Sequence, residues 1–231
     1  VGVMMRRTEM DNEIITGDVR ETLPETSESS VHCVMTSPPY FRLRNYNHED
    51  QIGLEESLDE YISELVAVGD DLRRVLRDDG SWWLNLGDSY GDNKQKMLVP
   101  HRVAIALQEA GWVVRNDVTW VKPNPMPQSV KDRLNTTTEQ IFHLTPQPDY
   151  WYDLDAIREP HAEDSKRLSK TGDHVYRENG PGQHSMNPED RAHPAGKNPG
   201  DVFEVTTKPF PDAHFAVYPP ALCEKPIKAS C

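Results

Sequence analysis

The segment Val31-His32-Cys33-Val34-Met35-Thr36 is apolar at nearly every position and runs straight into Ser37-Pro38-Pro39-Tyr40. A strand without polar alternation is buried on both faces, and such strands belong to parallel sheets covered by helices. The prolines end it, because neither can donate to a ladder hydrogen bond. The surrounding chain must then supply helices. Over residues 57–77 it does: Leu58, Tyr61, Ile62, Leu65, Val68, Leu72, Val75 and Leu76 fall at helical spacing, Ser57 and Glu60 stand at capping-box positions, and Gly80 lies beyond the end.

The alternation continues. Residues 81–86 (Ser81-Trp82-Trp83-Leu84-Asn85-Leu86) read as a strand, and 100–110 as a helix with Pro100 near its start and Gly111 after it. Residues 112–122 and 138–144 read as two more strands, separated by the loop Pro123-Asn124-Pro125-Met126-Pro127. Upstream, Glu13-Ile14-Ile15-Thr16 reads as a short strand turning at Gly17-Asp18, and 19–26 as a short helix broken at Pro24. This order predicts an α/β fold with a mainly parallel sheet. Past Asp153 the periodicity vanishes. Residues 159–201 are polar and read as a loop-rich insertion, and apolar order returns only at His214-Phe215-Ala216-Val217-Tyr218-Pro219-Pro220. A helix from Ala221 should be kinked or interrupted by Pro226.

At 231 residues the chain can build one large core. No apolar run reaches the roughly 18 residues that span a bilayer, and residues 1–12 lack the apolar stretch of a signal peptide. A soluble, cytoplasmic protein with no membrane partner is expected. Cys33, Cys223 and Cys231 lie far apart and pair with no histidine at ligand spacing, so they carry no redox or metal role. His161, His174, His184 and His193 fit no standard zinc set either, and no metal is expected.

The sharpest chemical feature is the junction itself. A small hydroxyl precedes two prolines and an aromatic follows them, at the strand end where ligand sites open in α/β sheets. Met35-Thr36-Ser37-Pro38-Pro39-Tyr40 resembles the signature of the amino-group DNA methyltransferases, whose Ser form is commonest among N4-cytosine enzymes and whose adenine-N6 members usually carry Asp there. The resemblance implies a Rossmann-like sheet, S-adenosyl-L-methionine as methyl donor, and double-stranded DNA as partner. The chemistry suits the residues. An aromatic amine is a poor nucleophile because its lone pair is delocalised into the ring. The Ser37 hydroxyl and the Pro38 carbonyl could each accept one amine hydrogen, while Tyr40 stacks on the extruded base. Ser37, Pro38, Pro39 and Tyr40 are therefore the candidate catalytic residues. An adenine-N6 enzyme and a non-catalytic DNA-binding remnant are the competing readings.

Other segments resemble the circularly permuted members of this family. Ile15-Thr16-Gly17-Asp18 looks like the acidic strand end that contacts the adenine side of the donor, which assigns Asp18 to it. Residues 118–127 look like the strand and loop beside the flipped base, making Lys122 and Asn124 candidates for DNA contact. Asn85, Gly87 and Asp88 resemble the end of the strand after the long helix, and His214, Phe215 and Pro219 the passage near the methionine end of the donor. The expected division is a catalytic core over 12–152, a target-recognition region over 153–205, and the start of a cofactor-binding region over 206–231.

Two features sit awkwardly with that resemblance. Net charge is −13, although phosphate contacts from Lys and Arg supply most non-specific DNA affinity. Residues 49–79 alone hold eleven Asp and Glu against Arg73, Arg74 and Arg77, so the excess reads as a solvated helix facing away from DNA. The family's Gly-rich donor loop is also absent. Gly180-Pro181-Gly182 follows no strand and cannot replace it. In the family's sheet order, 3-2-1-4-5-7-6, the residues near Ile14 would be strand 3 and those near Val34 strand 4, with strands 1 and 2 missing between them. The expectation is an incomplete or split enzyme needing a second polypeptide that carries the Gly-rich loop.

Overall fold

The computed structural model describes residues 14–48, 50–161, 193–209 and 217–231. In chain order these form α1 (Val19–Glu25), β1 (Val31–Thr36), α2 (Leu58–Val75), β2 (Leu76–Leu86), α3 (Val99–Glu109), β3 (Val113–Val121), β4 (Thr138–Thr145), a 3₁₀ turn (Asp155–Ile157), β5 (Val202–Glu204) and α4 (Ala221–Ser230). The sheet order is β1-β2-β4-β3-β5. Pairing is parallel for β1 with β2 and for β3 with β5, and antiparallel on both sides of β4. With β4 reversed against the other strands, both of its pairings are antiparallel, so the described sheet is mixed rather than mainly parallel. The expected 4-5-7-6 run is present as β1-β2-β4-β3, and β5 adds a strand that the sequence pattern did not announce.

Side-chain alternation along the central strands divides the interior in two. Trp82, Leu84 and Leu86 of β2 with Phe142 and Leu144 of β4 face α2 and α3, where Tyr61, Leu65, Leu72, Val103 and Leu107 meet them. Trp82 also packs edge-on against Trp112 at 5.2 Å, a pairing worth roughly 0.5–1.5 kcal/mol beyond its buried area. On the opposite face Trp83, Ile141, Val118 and Trp120 meet Phe203 and Leu222 of α4. There Trp83 stacks on its cross-strand neighbour His143 at 4.1 Å, and burial pushes that imidazole down to about 3, so it is neutral at ordinary pH. Ser57 and Glu60 form the capping box read from the sequence. In α2, Tyr61, Leu65, Leu72 and Val75 are buried, so only the opposite face carries the acidic excess into solvent.

Several local expectations are corrected. Residues 14–16 form no strand: Ile14 and Ile15 are 92% and 62% exposed, because β1 has no neighbour on that side among the described residues. Strand β2 starts at Leu76 rather than Ser81, a register irregularity between Val31 and Cys33 letting β1 follow it. Pro24 lies within α1, which continues one residue past it. Pro226 does not interrupt α4, since its ring is buried and that packing offsets the lost backbone hydrogen bond.

The two ends of the polar insertion are fastened together. Glu159 and Lys197 form an antiparallel bridge with N···O distances of 3.0 and 2.8 Å, and Arg158 donates to the Gly196 carbonyl at 3.1 Å. The imidazole Nε2 of His161 lies 2.9 Å from the His193 carbonyl, and Lys225 of α4 pairs with Glu159 at 2.6 Å. His174, His184 and Gly180-Pro181-Gly182 lie outside the described residues.

Candidate active site at the open end of the sheet

β1, β2 and β3 end, and β4 begins, along one edge of the sheet, which brings together residues far apart in sequence. Ser37 and Tyr40 come from the turn after β1, Asn85 from β2, Glu139 from β4 and Lys122 from the end of β3. Asn85, Glu139 and Lys122 share the face occupied by Trp83 and Trp120, as their even spacing along the strands requires.

Their polar atoms form one network. The Tyr40 hydroxyl donates to Glu139 Oε2 at 2.7 Å and lies 3.1 Å from Ser37 Oγ. Asn85 Nδ2 reaches Tyr40 Oη at 2.8 Å, Glu139 Oε2 at 2.9 Å and Ser37 Oγ at 3.3 Å. Lys122 Nζ pairs with Glu139 Oε1 and sits 4.5 Å above the Trp120 ring. Burial, reinforced by the negative charge of Glu139, pushes the Tyr40 phenol well above its ordinary range. Asn85 is 1% exposed, and its Oδ1 has no hydrogen-bond partner among the described residues.

The turn is braced from behind. Tyr61 of α2 donates to the Pro39 carbonyl at 2.9 Å, and Arg42 N donates to the Gly53 carbonyl at 2.7 Å. Gly87, just past β2, is needed for space. A Cβ there would lie 2.5 Å from Tyr40 Cε2. Gly87→Ala is accordingly expected to displace the Tyr40 ring, break its hydrogen bonds to Glu139 and Asn85, and reduce methylation, which a rate measurement on the variant checks. A variant with full activity would show that the ring position is immaterial. Asp88 supports the scaffold instead. Its Oδ1 accepts from Ser89 N and Val99 N, which fixes the entry to α3.

The other residues singled out from sequence are placed as follows. Asn124 is engaged as a clip, its amide donating to the Thr207 carbonyl at 3.0 Å and accepting from Thr207 N at 2.9 Å. Asp18 caps α1, and Arg20 holds its carboxyl down to about 2 by side-chain and backbone hydrogen bonds. Arg20 also donates to the Asp50 carbonyl, tying Asp18 to the loop that follows the Pro39-Tyr40 turn. Pro219 is buried at the start of α4, beside Tyr218, whose hydroxyl reaches the Met35 carbonyl at 3.4 Å. His214 and Phe215 lie outside the described residues. Glu139 was not singled out from the sequence. The available signal was a carboxylate two residues before the apolar pair Ile141-Phe142.

A family model described as DNA methylase matches residues 31–231. The chain belongs to that family. Among the described residues no group of side chains could hold a metal ion. The type II methyltransferase M.SfiI of Streptomyces fimbriatus is 44% identical over 65% of this chain and 40% of its own length. M.SmaI of Serratia marcescens is 37% identical over 91% of this chain and 72% of its own length. The solved PvuII DNA methyltransferase, described as cytosine-N4-specific, superposes with a TM-score of 0.64 at 18% identity, covering 93% of this chain and 68% of that one. That likeness concerns the fold. Among the described residues, no helix of this family member is long and apolar enough to cross a membrane.

Proposed function

We propose that these residues are the target-base part of a site-specific DNA methyltransferase that moves a methyl group from S-adenosyl-L-methionine to N4 of a cytosine flipped out of double-stranded DNA. The observation that carries this reading is the Ser37 hydroxyl, held beside Tyr40 and Asn85 at the open end of the sheet. In this role Ser37 Oγ and the Pro38 carbonyl accept the two amine hydrogens and draw the nitrogen lone pair out of conjugation. Pro39 fixes the direction of the turn. The Tyr40 ring supports the base, returning about 1–3 kcal/mol against an extrusion cost of a few kcal/mol.

The donor supplies an electrophilic methyl group when bound. Asp18, His214, Phe215 and Pro219 are assigned to its two ends. Lys122 acts on the base side through Glu139, and Asn124 shapes the loop that lies along the DNA. The Ser form of the turn supports the cytosine choice over adenine.

The product decides the matter. Duplex DNA methylated by the protein together with the polypeptide that bears the Gly-rich turn, digested to nucleosides and weighed by mass spectrometry, should yield N4-methylcytosine. N6-methyladenine would overturn the choice of base. A 5-methylcytosine product would overturn the mechanism, because that reaction needs a cysteine nucleophile that the turn lacks.

A further inference from the structure

We infer that Glu139, anchored by Lys122, fixes the direction of the hydrogen-bond chain through Tyr40 to Ser37 and takes up the proton displaced from the methylated amine. The inference rests on the placement of the target amine at Ser37 given above, and it adds a residue and a proton path to it.

The direction follows from counting hydrogens. An ionised carboxylate only accepts. Glu139 Oε2 therefore takes the single hydrogen of the Tyr40 hydroxyl, at 2.7 Å. Tyr40 Oη is left as an acceptor, and its neighbour Ser37 Oγ, 3.1 Å away, must donate to it. Asn85 Nδ2 can only donate, and its two hydrogens go to the nearer acceptors, Tyr40 Oη at 2.8 Å and Glu139 Oε2 at 2.9 Å, which again leaves Tyr40 Oη an acceptor toward Ser37. Ser37 thus has no hydrogen to offer the substrate. Its oxygen is left with acceptor capacity alone, which is what a base amine requires. Lys122 on Oε1 leaves Oε2 as the terminus. With Glu139 neutral, Tyr40 and Ser37 could each turn around, and the hydroxyl could present a donor to the amine instead.

The same chain can carry a proton. When the amine nitrogen bonds to the methyl carbon, the carbon–sulfur bond of the donor breaks with its electron pair left on sulfur, and the nitrogen carries one hydrogen too many. That proton passes to Ser37 Oγ as the serine proton moves to Tyr40 and the tyrosine proton moves to Glu139. A neutral carboxylic acid results, and it loses its proton to solvent once the product leaves. Each oxygen ends the transfer with its original number of hydrogens except Glu139, so Ser37 and Tyr40 are regenerated at once. Glu139 touches no substrate. It is a positioning residue that acts through Tyr40.

Glu139→Gln in the protein complemented with the polypeptide that bears the Gly-rich turn tests this, since it keeps the shape and an acceptor oxygen but removes the charge. Single-turnover methylation should slow by roughly a hundredfold, at the low end of the ~10²–10⁴ that positioned proton transfer contributes, with DNA affinity unchanged. Tyr40→Phe, which keeps the ring, should show the same loss, and the double variant no further loss, because one chain is being cut twice. A readout independent of methylation is the ultraviolet titration of Tyr40, identified by its disappearance in Tyr40→Phe. The groups facing that hydroxyl are Glu139, Ser37, Asn85 and Tyr61, with Lys122 beyond the carboxylate, so removing the Glu139 charge should lower its ionisation pH. Wild-type rate in Glu139→Gln, or additive losses, overturns the inference. If Glu139→Gln fails to fold, Tyr40→Phe decides alone, a wild-type rate again overturning it. Impaired Ser37→Ala beside an unimpaired Glu139→Gln sinks only this inference, whereas an unimpaired Ser37→Ala sinks the placement of the base as well.

Discussion

Ser37→Ala is expected to lower the rate of methyl transfer by roughly tenfold to a hundredfold, since a hydrogen bond to a charged group contributes about 1.5–3 kcal/mol and the amine becomes charged only as the reaction proceeds. DNA affinity should hardly move. Tyr40→Ala should behave differently. It removes the stacking surface, about 1–3 kcal/mol, and so should weaken capture of the extruded base as well as transfer. The Ser37 hydroxyl lies among Tyr40, Asn85 and Glu139 and supports no helix or strand, so thermal transitions should stay close to the parent protein. Pre-steady-state kinetics with matched DNA-binding titrations separate the two effects. Wild-type transfer by both variants would mean that the turn is not where the base reacts.

Residues 1–231, produced alone, are expected to bind S-adenosyl-L-methionine weakly and to gain activity when a polypeptide bearing the Gly-rich turn and its strands is added. Two observations motivate this. Among the described residues β1 is paired on one side only, and the chain spans 72% of the length of M.SmaI and 40% of M.SfiI. An unpaired edge leaves backbone donors and acceptors open, so the isolated piece should also associate through that edge and unfold with low cooperativity. Isothermal titration of the donor, with and without the complementing polypeptide, measures the difference. Tight binding and full turnover by residues 1–231 alone would refute it.

Much of the fold was legible because its elements announce themselves locally. The stripe from Leu58 to Leu76 with its capping box, the proline and glycine around 100–111, and the apolar runs at Val31 and Trp82 each declare an element from a few neighbours. What was not legible depends on partners far away in sequence. Ile14 and Ile15 have strand-like residue types, yet a strand needs a neighbour and none is present among the described residues. Pro226 should break a helix, yet a buried ring offsets the loss. The site divides the same way. Ser37 to Tyr40 is contiguous and was readable as a motif, whereas Glu139 stands 99 positions from Tyr40 and becomes visible only when β4 is placed between β2 and β3. Asn85 and Lys122 stand out in the sequence only through the family resemblance, without any sign that one carboxylate holds both. Asn124, read as a DNA contact, is occupied by Thr207 across a loop closure that no local pattern encodes.

The clasp between Glu159 and Lys197 makes the polar insertion a cassette. Its two ends are joined to each other and to α4 through Lys225, so the sheet receives the same mechanical boundary whatever lies between residues 161 and 193. Loop-closure entropy is nearly indifferent to length, each doubling costing only about 0.6 kcal/mol. A fold fastened in this way can change the length of that insertion while Ser37, Tyr40, Asn85 and Glu139 keep their places at the other end of the sheet.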